Sequence, residues 1–347
     1  MTTAAEPNAP DASGVESRLG HYYQADGTYR VAREKVREYA RAVQDYHPVH
    51  WDEEAARAAG YSGVVTPLTF TSIPAMAANR ALFESVVVGY DTYVQTEQVF
   101  EQHRPIVDGD ELITDVELSS VRRIAGKDML TVTNTFTDAR GERVHTMHTT
   151  VVGVTAEEVD PELTGAVQQV MAHDVNILAQ EESDAGYTKT VRPEGEIPLA
   201  DGSARPSAAR SFDELSVGDQ LPMHDVRISR GDLVNYAGVS GDANPIHWDE
   251  KIATLAGLPD VIAHGMLTMG VGAGFVSDWS GDPGAVTRYA VRLSSPAIVS
   301  AATGGDIEFS GRIKSLDPQT RTGVVILVAK SAGKKIFGMA TLAIRFS

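Results

Sequence analysis

The sequence predicts an α+β protein of two similar domains joined by an acidic connector. Three observations carry this. Part of the chain repeats itself at a constant offset of 197 residues, from Val31 beside Ile228 onward. In each copy helical patterns come first and strand patterns last, which favours antiparallel sheets with segregated helices. At about 150 residues per domain, a chain of 347 residues also has room for two cores.

The repeat is detailed. Tyr39-Ala40 matches Tyr236-Ala237, Asp45 matches Asp242, and Pro48-Val49-His50-Trp51-Asp52-Glu53 matches Pro245-Ile246-His247-Trp248-Asp249-Glu250. Two copies are too few for a solenoid and fit a fused, pseudo-symmetric pair.

Taken in order, residues 1–17 read as a disordered tail with no signal-peptide pattern, and a cytoplasmic protein is expected. The first domain spans 18–155. Its strands are expected at Thr92–Phe100, Leu112–Arg122, Met129–Thr137 and Arg143–Val154, with a turn at Asp138-Ala139-Arg140-Gly141. Its central helix is expected to start at Pro67 and to run through Phe70, Ile73 and Met76 to Leu82 and Phe83. Residues 156–209 form the connector. Between Ala156 and Ala204 it carries 11 acidic and two basic residues, three prolines and little apolar periodicity, so it reads as a solvated linker with one helix over Thr164–Leu178.

The second domain spans 210–347. Ser229 followed by Asp232 resembles a capping box, with Leu233, Tyr236 and Ala237 on one helix face. Gly241 and Pro245 break that helix, a short helix follows Trp248, and an apolar helix runs from Gly265 to Trp279. Strands are expected at Thr287–Leu293, Asp306–Leu316, Thr322–Lys330 and Lys335–Phe346.

Composition narrows the function. The formal charge is −17, a poor match to nucleic acid or to a polybasic membrane anchor. No stretch approaches the roughly 20 apolar residues of a membrane helix. With no cysteine there are no disulfides, thiolate metal sites or thiol nucleophile.

The chemistry concentrates in Tyr236-Ala237-Gly238-Val239-Ser240-Gly241-Asp242-Ala243-Asn244-Pro245-Ile246-His247, with Ala253 six positions on. Asp242 and His247 bracket one turn, which places two proton-transfer groups together. Asn244 between them can hold a water or orient a carboxylate. A capping Asp beside a surface His stays open on spacing alone.

This string resembles the signature of the MaoC-like, (R)-specific enoyl-thioester hydratases and dehydratases. Ile262-Ala263-His264-Gly265-Met266-Leu267-Thr268-Met269-Gly270, Gly281-Asp282-Pro283-Gly284-Ala285-Val286-Thr287 and Gly333-Lys334-Lys335-Ile336-Phe337-Gly338 extend it. With them the second half is similar to the catalytic B subunit of the mycobacterial-type (3R)-hydroxyacyl-ACP dehydratases. Arg33-Glu34-Lys35-Val36-Arg37-Glu38-Tyr39-Ala40, Gly60-Tyr61-Ser62-Gly63, Pro67-Leu68-Thr69-Phe70 and Arg104-Pro105-Ile106-Val107-Asp108-Gly109-Asp110 make the first half similar to the A subunit.

The resemblance implies a double hot-dog fold, each sheet wrapped around a central helix, and dehydration of (3R)-hydroxyacyl thioesters on acyl carrier protein in type II fatty-acid elongation. Hydration of enoyl-coenzyme A esters is the alternative, with a non-catalytic thioester-binding module and a thioesterase as further rivals. Asp242 and His247 are the expected catalytic pair, with Asn244 beside them and the Gly265 N–H as donor to the thioester oxygen. His264, Lys334 and Lys335 are expected to contact substrate, and Ala77 and Ala78 to line a channel for the acyl chain. Neither metal nor organic cofactor is implied. The halves should pair as a pseudo-heterodimer within one chain, open to further self-association.

The first half departs from the inactive A-subunit pattern by keeping Asp45 and His50. His47 stands where Asn244 does, and Thr66-Pro67-Leu68 where Ala263-His264-Gly265 does. A degenerate first site is expected. His47, His50 and Asp45 make a weak metal set. Gly270-Val271-Gly272-Ala273-Gly274 lacks the strand–turn context of a nucleotide loop and reads as close sheet packing. His145 and His148, three apart on a strand, should face opposite sides. Lys334, Lys335, Arg312 and Lys314 read as one basic patch for an acidic carrier or its phosphate, or as a solvated strand face.

Overall fold

A computed structural model describes residues 15–85, 87, 89–90, 92–171, 187–200 and 206–347. The first half contributes β1 (Tyr22–Ala25), β2 (Tyr29–Arg30), α1 (Arg33–Ala42), α2 (Glu53–Ala58), α3 (Ser72–Ser85), β3 (Thr92–Gln102), β4 (Glu111–Ile124), β5 (Lys127–Thr137) and β6 (Arg143–Val154). The connector holds α4 (Pro161–Val170) and β7 (Tyr187–Thr190). The second half adds β8 (Gln220–Ile228), α5 (Arg230–Ser240), α6 (Glu250–Leu255), α7 (Gly265–Ser280), β9 (Val286–Leu293), β10 (Gly305–Asp317), β11 (Thr322–Ser331), β12 (Lys334–Lys335) and β13 (Phe337–Arg345).

The repeat in sequence becomes a repeat in topology. Strands run β7-β1-β4-β5-β6-β3-β9-β13-β11-β10-β8 in a single sheet, with β2 beside β4 and β12 beside β11. The order β1-β4-β5-β6-β3 in the first half reappears as β8-β10-β11-β13-β9 in the second. Every ladder between these strands is antiparallel, and β3 pairs with β9 across the seam, Val99 opposite Ala290. Two antiparallel sheets with helices, fused into one, make the expected double hot-dog.

The helices meet across the same seam. α1 packs on α5, bringing the rings of Tyr39 and Tyr236 to 6.2 Å between centroids. Ser229 and Asp232 form the expected capping box, and Gly241 closes α5 at φ 82°. The glycine run of α7 lets backbone approach on two sides, as its packing reading implies. A Cβ on Gly272 would sit 3.0–3.1 Å from Leu327, Phe309 and Tyr289 of the sheet; one on Gly270 would sit 2.5 Å from Val43, and one on Gly274 3.0 Å from Asp45, both in the first half.

Several expectations are corrected. The first central helix starts at Ser72, not Pro67, one turn later than its counterpart at Gly265. Pro74 is the cause: it has no N–H to give and its ring clashes with the carbonyl four residues back, so it fits only a first turn. Residues 67–71 instead form tight turns, Phe70 N–H to Pro67 O at 2.9 Å and Ser72 N–H to Thr69 O at 3.1 Å. Val15, expected in the tail, is buried in a cluster with Ala78, Leu82, Val116 and Leu118; residues 1–14 lie outside the described residues.

The described parts of the connector dock rather than float. α4 packs on α6, β7 extends the sheet beside β1, and Ala200, bonded to Arg143 O, is buried. The connector helix begins at Pro161 after an Asp160 cap and ends at Val170; the rest of the helix expected to Leu178 lies outside the described residues. The last strand is split, with a turn at Ala332 and Gly333 (φ 48° and 74°) leading into β12 and Ile336 separating it from β13. Among the described residues, no helix is long and apolar enough to cross a membrane.

Candidate active site

The site of the second half is built on one loop and one helix start. Gly241 turns the chain out of α5, and Asn244, accepting from Ile246 N–H at 3.2 Å, caps the short 3₁₀ turn Pro245–His247. That turn carries His247 beside Asp242. The His247 ring is fixed by its Nδ1, 2.8 Å from the Ile262 carbonyl. A carbonyl only accepts, so Nδ1 carries the proton and Nε2 is left as the basic atom. Burial holds the His247 pKa below its ordinary 6.5, although Asp242 and the Ile262 carbonyl push it the other way.

His264 sits behind this pair. Its Nε2 donates to the Asp242 backbone carbonyl at 3.1 Å, and its ring stacks on His247 at 3.7 Å between centroids. It is fully buried, and burial pushes its pKa down to about 2, with the neighbouring His247 adding to the effect. The expected substrate contact is thus corrected: the ring braces the Asp242 loop from inside and stays neutral.

Gly265 opens α7 directly after His264. The first N–H groups of a helix have no intrahelical partner and point outward at the positive end of its dipole. A side chain here would meet Leu293 Cδ1 at 2.9 Å, so glycine keeps the approach open. Asn244 is exposed. Its N–H donates to Asp242 Oδ1 at 3.4 Å, while its side chain is spent on the Ile246 cap. The structure therefore gathers Asp242, His247, His264 and Gly265, with Asn244 at the rim.

One atom each of Asp242, His247 and His264 lies within 4.8 Å of the others, the arrangement nearest to a metal set among the described residues. The two rings are stacked face to face, and each has a nitrogen committed to a backbone carbonyl. Those bonds leave the other nitrogen of each ring uncommitted, His247 Nε2 and His264 Nδ1, and His247 Nε2 beside Asp242 is placed for proton transfer.

The first site is arranged differently. His50 Nε2 lies 3.2 Å from Asp45 Oδ2, and both residues are almost fully buried. His50 Nδ1 bonds Val65 O at 2.6 Å, the counterpart of the Ile262 bond. Burial opposes both charges, yet each stabilises the other, so the pKa of His50 is raised and that of Asp45 lowered. Gly274 of α7 covers Asp45 closely, and Leu68, buried, stands where Gly265 would be. Tyr61 donates to Asp282 at 2.5 Å across the seam nearby.

Other expected residues separate from the site. Ala78 is fully buried within the core cluster of Leu82, Val116 and Leu118, so it packs that core rather than lining a channel; Ala77 is exposed. Lys334 and Lys335 are exposed on β12 beside Lys330, whereas Arg312 pairs with Ile326. Four residues of strand, about 13 Å, separate the two basic pairs, and they form no single patch. His145 is buried against Thr71 Oγ1 at 2.7 Å, and His148 bonds Thr133 at 2.9 Å on the other face, as expected.

Sequence reasoning missed the Ile262 carbonyl, Leu293 and Gln95. Gln95 comes from the other half, its Oε1 3.8 Å from where a Gly265 side chain would begin. Only the β3–β9 pairing puts it there, and no local signal announces such a contact.

A double hot-dog with an Asp–His pair at a glycine helix start defines a hydro-lyase scaffold, and the comparisons agree. Residues 17–147 match the family model of a FAS1-like dehydratase domain region, and residues 215–330 that of a MaoC-like domain. A solved structure described as a MaoC-like dehydratase is 71% identical, covers 96% of this chain and all of its own, and superposes with a TM-score of 0.90. The chain belongs to the MaoC-like dehydratase family. A UPF0336 protein of Saccharopolyspora erythraea is 42% identical over 149 residues, 42% of this chain and 95% of that relative. A Mycobacterium tuberculosis protein described as a double hotdog fold shares the fold at 13% identity, with a TM-score of 0.65 over 94% of this chain and 96% of its own.

Proposed function

We propose that the protein removes water from (3R)-hydroxyacyl thioesters carried on acyl carrier protein, giving trans-2-enoyl thioesters for chain elongation. The observation that carries this is His247, its tautomer set by Ile262 so that a basic Nε2 is held beside Asp242 at the α7 N-terminus. Nε2 takes the C2 proton, the C3–oxygen bond breaks, and that proton passes through Asp242 to the leaving hydroxyl, so water departs and both side chains end as they began. The Gly265 N–H receives the charge building on the thioester oxygen; one such donor is worth about 3–4 kcal/mol of barrier. Asp45 and His50 serve the fold rather than turnover, because both are sealed beneath α7. Lys334 and Lys335, exposed on their hairpin, suit the phosphate of the carrier's prosthetic arm.

The test is a turnover series on matched acyl-carrier and coenzyme A (3R)-hydroxyacyl thioesters, followed by absorbance of the enoyl product. Higher kcat/KM on the carrier-bound series is expected. Preference for the coenzyme A series would replace the carrier assignment with the hydratase reading, and no turnover of either would leave a binding module.

A further inference from the structure

The inner face of the first half carries a polar row that its twin lacks. Gln95 Nε2 donates to Gln98 Oε1 at 2.8 Å, and Thr149 Oγ1 donates to the same oxygen at 2.8 Å. Gln98 and Thr149 are opposite one another on β3 and β6. One strand over, on β5, is Asn134, opposite Met147 and so diagonal to Thr149. Asn134 is fully buried, and neither its amide nitrogen nor its oxygen has a hydrogen-bond partner.

This placement is costly unless something uses it. A buried amide without a partner forfeits its hydration for nothing, and such groups are rare. The fold does not require it. On the matching strands of the second half most inward residues are apolar, Val325, Leu327 and Ala329 on β11 and Ala340, Leu342 and Ile344 on β13, with Ser331 on β11 and the Tyr289 hydroxyl on β9 the polar exceptions. The row also divides the first half's core: Phe136 and Met147 belong to the large cluster shared with the second half, while Val132 and Leu130 belong to a separate one with α3. Gln95 stands beside Gly265, so the row begins where the thioester would bind and ends at Asn134.

We propose that this row reads a polar substituent on the acyl chain, so that the substrate class is a (3R)-hydroxyacyl thioester bearing a second hydroxyl or keto group further along, with Asn134 as its recognition residue. This rests on the thioester reading of Gly265 and refines it, replacing an all-alkyl channel by one with a polar stop. Asn134 offers both a donor and an acceptor, which suits a hydroxyl and also a keto oxygen.

The experiment uses the full chain and coenzyme A thioesters of equal length, one unsubstituted and the others carrying a second hydroxyl at successive distal carbons. Thermal shift gives affinity and enoyl absorbance gives kcat/KM. One hydroxylated isomer is expected to exceed the unsubstituted chain by about tenfold or more, as sites built to hydrogen-bond a hydroxyl discriminate strongly. Asn134→Leu should abolish or reverse that preference. Thr149→Val, which removes the hydroxyl holding Gln98 while keeping its shape, should weaken it and serves if the first variant fails to fold. Turnover without any preference in the wild type, or a preference surviving in the folded variants, overturns the proposal and leaves the dehydratase reading standing. A preference in affinity with no turnover does the reverse, and neither signal overturns both.

Discussion

At the level of single residues, His247 and Asp242 are expected to act as a unit. Asp242→Asn and His247→Ala should each lower kcat by at least about 10²-fold, and the double variant should be little worse than either. Near-normal turnover in a folded single variant would remove that residue from the chemistry. His247 must be neutral to accept a proton, and burial places its pKa below 6.5. The acid limb of kcat/KM is therefore expected below pH 6.5, and a limb above it would mean the base is a different group. The pair itself was legible, because Asp242, Pro245 and His247 sit close in sequence. The inward bracing role of His264 was not, since a histidine before a helix looks the same whether it faces substrate or a backbone carbonyl.

Among the elements, α7 is the one on which both halves close. Gly270→Ala would put a methyl 2.5 Å from Val43; overpacking of this kind costs about 1–3 kcal/mol. Gly165→Ala, on α4 with nothing within 4 Å, should instead stabilise by about 0.5–1 kcal/mol. Urea midpoints of the two variants check the contrast, and equal shifts would show that the α7 contact yields freely. The long strands and α7 were legible because their periodicity is sustained. β1, β2 and β7 were not: with two to four residues each, they are too short to show alternation. β8 was hidden by exposure, since Pro222, Met223, His224 and Asp225 all face solvent. The start of α3 was misjudged because the repeat was followed past Pro74, the residue that forbids it.

Across the whole molecule, stability should depend on pH through buried histidines of opposite sense. His145 and His264 are driven by burial to about 3 and about 2, so they stay neutral in the fold while the unfolded chain protonates near 6.5. Each therefore costs about 1.4 kcal/mol per pH unit as pH falls below that value. His50, with a raised pKa, stabilises below its ordinary value and loses that contribution as pH rises through the raised one; Asp45, lowered, loses its contribution as pH falls through the lowered one. A falling urea midpoint between pH 7 and pH 5 is expected, and a flat profile would contradict the neutral burial of His145 and His264. Removing one partner of the sealed pair, as in His50→Ala, strands a buried charge at a cost of about 3–5 kcal/mol. Asp45→Asn with His50→Ala should keep more than about a third of turnover per folded molecule, where loss of a working acid–base pair costs at least 10²-fold. A fall to the level of the Asp242 variant would make the first site the active one.

The β3–β9 seam has a consequence for how the halves choose each other. As separate polypeptides the halves would have to find each other by charge, Glu97 and Glu101 of β3 against Arg292 and Arg288 of β9. Tethering raises the local concentration of the unlike partner to the order of millimolar, so the mixed pair that these charges favour forms at any protein concentration. It also guarantees one of each half per chain. Under that guarantee neither half has to remain competent alone, and the two can drift apart, one sealing its histidine against its aspartate while the other keeps a glycine helix start beside its own.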